Sequence, residues 1–125
     1  MKILVMGGTR FVGKPLVARL QDQGHALTLF TRGRLPSPEG VESIQGDRSV
    51  DADLDQLKGR DFEVIIDSSG RSLDDSRRVL AITGTPTHRF LYVSSAGVYA
   101  ASTQWPLDET AATDPASRHS GKADT

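Results

Sequence analysis

The sequence predicts an α/β fold in which helices cover both faces of a doubly wound parallel sheet. Three observations carry the prediction. Short apolar runs alternate with segments of helical spacing, the rhythm of strand–crossover–strand units. The runs do not alternate polar with apolar residues, so the strands are expected to be covered on both faces. A glycine-rich turn, Gly7-Gly8-Thr9-Arg10-Phe11-Val12-Gly13, joins the first run to the first helical segment.

Taken in order, Lys2–Met6 is a buried strand closed by glycines. Phe11, Val12, Leu16, Val17 and Leu20 recur at helical spacing from Phe11 to about Gln23, and Gly24 ends that helix. Ala26–Thr31 is a second strand, followed by Arg32-Gly33-Arg34 and a turn region at Pro36 and Pro38. Val41–Gln45 is a short third strand stopped by Gly46-Asp47. Leu54 and Leu57 predict a brief helix, and Phe62–Ile66 a fourth strand, apolar but for Glu63, ending at Asp67. A helix over Leu73–Ile82 and a fifth strand over Phe90–Val93, closed by Ser94-Ser95, complete the pattern. Ala100–Ala116 is loop-like around Trp105, and a further helix could open at Ser117. The expected strand order is 3-2-1-4-5, with the ligand crevice at the carboxyl ends of strands one and four.

With 125 residues, 37% hydrophobic and 25% charged, the chain is one domain of ordinary globular composition. Fifteen basic and sixteen acidic residues give a formal net charge of −1, which offers no bulk footprint for nucleic acid or an anionic membrane and leaves room for a local basic patch. The absence of cysteine excludes disulfides, thiolate ligands and cysteine nucleophiles. There is no metal-spaced cluster; His25 and His88 flank strands and are read as surface residues. The first apolar run stops at Gly7, too early for a signal peptide or a membrane span, so a cytoplasmic location and no membrane partner are expected.

The glycine turn has the position at which a Rossmann unit brings backbone against a pyrophosphate seated on a helix N-terminus. Gly7 would make the tight turn and Gly13 the close helix–sheet contact, while Arg10 replaces the usual middle glycine. Gly8 to Lys14 also fits the start of a nucleoside-triphosphate loop, but Pro15 follows where that loop needs a metal-binding hydroxyl. A nicotinamide dinucleotide without a 2′-phosphate usually meets an acid at the end of the second strand. Here Thr31-Arg32-Gly33-Arg34 stands there and the next acid is Glu39, a set that suits the phosphate of NADP(H). The plainer alternative is a pair of solvated loop arginines.

The glycine loop, Gly46-Asp47-Arg48, Ser94-Ser95-Ala96-Gly97-Val98-Tyr99 and Ser117-Arg118-His119-Ser120-Gly121-Lys122 together resemble the extended short-chain dehydrogenase/reductase superfamily. They are closer still to an atypical branch of its NAD-dependent epimerase/dehydratases that includes the chloroplast stem-loop-binding proteins. The resemblance implies that Gly7, Thr9, Arg10, Phe11, Val12 and Gly13 form the pyrophosphate loop. It further implies that Thr31 and Arg32 take the adenosine ribose, Asp47 and Arg48 the adenine edge, and Ser68 and Ser69 the passing ribose. Ser95 matches the catalytic hydroxyl, and Lys122 the lysine of the family's Tyr-x-x-x-Lys. The tyrosine position holds Arg118, which cannot exchange a proton near neutrality, and His119 is one helical step away from it. Ser94 and Ser95 could instead simply satisfy nearby backbone groups.

The resulting expectation is an NAD(P)-binding domain, NADP favoured, of an epimerase/dehydratase-like protein with a degenerate active site. RNA binding of the stem-loop-binding type is the alternative, and a nucleotide-sugar-like substrate the implied small molecule. Proteins of this kind continue for well over another hundred residues, so residues 1–125 are read as the cofactor-binding part, with a substrate-binding part absent. An uncovered fifth strand would favour association into a homo-oligomer.

Overall fold

In the computed structural model, which describes residues 1–102 and 106–117, five parallel strands form one sheet in the order β3-β2-β1-β4-β5. They are β1 (Lys2–Met6), β2 (Ala26–Thr31), β3 (Glu42–Gln45), β4 (Val64–Asp67) and β5 (Arg89–Tyr92). The helices are α1 (Gly13–Asp22), α2 (Asp51–Leu54), which runs on into a 3-10 turn at Asp55–Leu57, and α3 (Leu73–Thr83); a second 3-10 turn spans Ala96–Val98. No helix among the described residues is long and apolar enough to cross a membrane.

The alternation of side chains along each strand divides the core in two. Ile3, Val5, Leu27, Leu29, Val64 and Ile66 face α1, where fully buried Val17 meets them. Leu4, Met6, Phe30 and Ile65 face the other way, onto Leu54, Leu57 and Val79 from α2, its 3-10 extension and α3. Helices on both faces explain why β1 and β4 read as unbroken apolar runs. β5 is the sheet edge among the described residues, and Leu91 on it is 43% exposed.

Most expected boundaries hold within two residues, and the departures have local causes. α1 begins at Gly13 because Phe11 adopts φ 43°, left-handed backbone that cannot continue a helix. β4 starts at Val64 instead of Phe62: Glu63 N–H still donates to Lys2 O at 2.9 Å, while the Phe62 side chain joins the core on the α3 face. The segment after Val98 folds back, with Ala100 N–H donating to Ala112 O at 2.8 Å and Asp114 N–H to Val98 O at 2.9 Å. α3 starts on a side-chain cap, Ser72 Oγ accepting from Asp75 N–H, with Asp74 and Asp75 complementing the positive end of the helix. It stops at Gly84, φ 74°.

Candidate functional site

The turn between β1 and α1 is shaped by crowding. Gly7 and Gly8 both have positive φ, 99° and 95°. A Cβ on Gly13 would lie 2.6 Å from Gly8 Cα, so the first turn of α1 rests directly on the backbone of the glycine loop. Gly7 N–H donates to Phe30 O at 2.9 Å, and a Cβ there would lie 2.8 Å from Ser68 Oγ. The N-terminus of α1 is thereby drawn down onto the carboxyl ends of β1, β2 and β4, leaving backbone and the positive helix end facing a cleft above them.

That cleft has a volume of about 550 Å³, well within the size of small-molecule sites. All twelve residues expected to bind a dinucleotide line it: Gly7, Thr9, Arg10, Phe11, Val12, Gly13, Thr31, Arg32, Asp47, Arg48, Ser68 and Ser69. They come from four separate loops, brought together by the strand order. Several of the side chains are held by local bonds. Thr31 Oγ1 accepts from Gly33 N–H at 3.1 Å and shapes the arginine turn after β2. Ser68 Oγ donates to Met6 O at 2.9 Å. Asp47 Oδ1 accepts from Ser49 N–H at 2.9 Å and Ser49 Oγ at 2.6 Å. The Ser49 hydroxyl, then its backbone N–H, and the nearby Arg32 and Arg34 charges hold the Asp47 carboxyl below the usual aspartate range.

The lining also contains residues not singled out from sequence, notably Arg71, Asp75, Ser49 and Val93. Arg10, Arg32, Arg34 and Arg71 enter no ion pair among the described residues, so the cleft carries unbalanced positive charge in a chain of net charge −1. Arg48 differs. Its Nη1 and Nη2 donate to the two carboxylate oxygens of Asp67 at 2.7 and 2.8 Å, and also to Ser69 Oγ and Asp75 O, each at 2.9 Å. Asp67, with no exposed surface, further accepts from Ser69 and Gly70 N–H at 3.1 and 2.8 Å. Among the described residues, Arg48 Nε is buried without a partner. The sequence signals only that Asp67 needs a partner, since a lone acid ending an apolar central strand needs a buried cation or several donors; it does not say which residue supplies them.

Ser95 does not line this cleft; it caps the 3-10 turn, its Oγ accepting from Gly97 N–H at 3.2 Å. Lys122, with Arg118, His119 and Trp105, lies outside the described residues.

The fold and cleft define a Rossmann-type, nucleotide-binding α/β domain. The model of the NAD dependent epimerase/dehydratase family matches residues 3–121, and the chain belongs to that family. It is 36% identical to the chloroplast stem-loop binding protein of 41 kDa b of Arabidopsis thaliana, over 99% of this chain and 37% of that protein. The UDP-glucose 4-epimerase of Thermus thermophilus, solved with NAD, superposes with a TM-score of 0.81 at 17% identity, over 98% of this chain and 48% of the epimerase. A short-chain dehydrogenase/reductase superfamily protein of Agrobacterium tumefaciens with bound NAD gives a TM-score of 0.79 at 23% identity, over 98% and 42%. The chain thus spans less than half the length of each of these relatives.

Proposed function

We propose that this domain holds NADP(H) in preference to NAD(H). The reading rests on the arginines at the carboxyl end of β2, which form no ion pair among the described residues. Arg32 and Arg34 follow Thr31 where a cofactor lacking the 2′-phosphate would be met by an acid, and both line the cleft. The residues present fit the cofactor: the glycine cradle lets the N–H groups at the start of α1 take the pyrophosphate, and the arginine turn takes the 2′-phosphate. The bound cofactor would supply hydride chemistry. Side-by-side titration with NADPH and NADH tests this, with NADPH binding the more tightly. Arg32→Ala should remove most of the difference, about 1–3 kcal/mol for a charge-assisted contact. Equal affinities in the parent protein would refute it.

For the longer protein, we propose a weak or altered epimerase/dehydratase activity on a nucleotide-sugar-like substrate. Arg118 replaces the family's proton-exchanging tyrosine, leaving Ser95 and Lys122 to orient substrate and ribose; lacking the acid/base group forgoes about 10²–10⁴-fold in rate. RNA binding is a second reading, supported by the name of the chloroplast relative and by the basic lining of the cleft. RNA held by that lining would be displaced by NADPH, whereas RNA held elsewhere would not.

A further inference from the structure

We propose that Asp67 is a positioning residue for the adenosine half of the dinucleotide, acting through a strap made by the Arg48 side chain. Arg48 follows β3, Asp67 ends β4, and the sheet order puts β2 and β1 between them. Three inter-strand steps of about 4.8 Å separate the two strands, so the loop after β3 and this one side chain together cross roughly 14 Å over the carboxyl ends of the central strands. At its far end the guanidinium meets Asp67 with two parallel bonds. With its remaining terminal hydrogens it also holds Ser69 Oγ and the Asp75 carbonyl, both from residues that line the cleft. The strap therefore fixes the loop carrying Asp47, the loop after β4 and the first turn of α3 relative to one another.

Asp67 cannot touch a ligand: it is fully buried and absent from the cleft wall. The terminal nitrogens of Arg48 are all engaged with protein, so Arg48 presents a neutralised floor and leaves phosphate recognition to the unpaired arginines. Gly70 is part of the arrangement, since a Cβ there would lie 2.7 Å from Asp67 Oδ2 and 2.8 Å from the Tyr92 ring. Tyr92 Oη donates to Gly70 O at 3.0 Å, which carries the same brace on to β5.

The inference rests on the dinucleotide reading of the cleft, and the experiment separates the two. Binding of NADPH and NADH to the parent protein is measured first by the fluorescence of the reduced ring; no binding of either overturns the cleft reading and the strap with it. Given binding, Arg48→Met, Asp67→Leu and the double variant are compared. The double variant removes both charges together and leaves no uncompensated buried charge, so it should fold, with a melt below the parent's because the Ser69 and Gly70 N–H groups lose their acceptor. ADP and nicotinamide mononucleotide then compete against bound NADPH. The double variant should bind ADP about tenfold more weakly, within the range of coupled neighbours, with nicotinamide mononucleotide unchanged. The two single variants should be strongly non-additive. A folded double variant that binds ADP as the parent does, or that loses both half-ligands equally, overturns the proposal. If the apolar pair fails to fold, Arg48→Lys decides in the same way: lysine keeps a cation beside Asp67 but cannot also reach Ser69 and Asp75.

Discussion

Replacing Gly13 by alanine tests whether the seating of α1 on the glycine loop makes the cleft. The added Cβ would lie 2.6 Å from Gly8 Cα, 3.0 Å from Gly8 C and 3.1 Å from Gly8 N. Ordinary carbon contacts begin near 3.5 Å, so the helix must withdraw by roughly 1 Å, and the obstacle is backbone, which has no rotamer through which to yield. In an unconstrained helix the same change would help by up to about 1 kcal/mol. Overpacking of this kind costs about 1–3 kcal/mol, and the withdrawal also carries the N–H groups of α1 away from a pyrophosphate. We therefore expect Gly13→Ala to lower the urea midpoint and to weaken NADPH binding by more than its effect on stability explains. Gly24→Ala is the control: its φ is 78° but a Cβ there meets nothing within 4 Å among the described residues. It should cost about 1 kcal/mol in backbone strain and leave affinity untouched. A Gly13→Ala protein with parental midpoint and affinity, or a Gly24→Ala protein with equally impaired binding, would refute the reasoning.

Other outcomes follow from single features. Leu54→Ala, at a side chain with no exposed surface in the cluster under α3, should cost about 2–5 kcal/mol by chemical denaturation. Phe11→Gly removes a 90% exposed ring from left-handed backbone, so thermal melts should show stability within about 1 kcal/mol of the parent, in contrast to an ordinary helix-start glycine. Glu42 has its carboxyl held below the ordinary range by the Arg60 guanidinium and then by the Thr28 hydroxyl. Its contribution is present above the unfolded value and disappears as pH falls through the lowered one. Melts of Glu42→Gln should therefore fall below those of the parent near neutrality and converge with them in acid.

What could be read from the sequence was whatever is local. β1 and β2 begin and end where expected because glycines and polar residues bracket apolar runs of the right length. The residues that line the cleft could be named individually because the glycine loop, the arginine turn and Gly46-Asp47 each sit at a strand's carboxyl end. The left-handed Phe11 was not legible: its apolar side chain fits the helical spacing, while its backbone answers to the tight approach of Gly13 to Gly8. Nor was the bond between Arg48 and Asp67. It joins residues nineteen apart through the order of strands, which no local pattern displays. Arg71 and Asp75 enter the cleft for the same topological reason.

The position of β1 in the sheet also has a consequence for the order in which the molecule is made. β1 pairs on one side with β2, which follows it closely, and on the other with β4, which is synthesised only after β3 and α2. At about 5–20 residues per second, a nascent chain exposes one edge of its central strand for several seconds after β2 has emerged. Arg48 leaves the ribosome in that interval, before Asp67 has emerged. The cleft is consequently a late product of synthesis, formed when Asp67 and the start of α3 arrive, and no shorter nascent chain holds it complete.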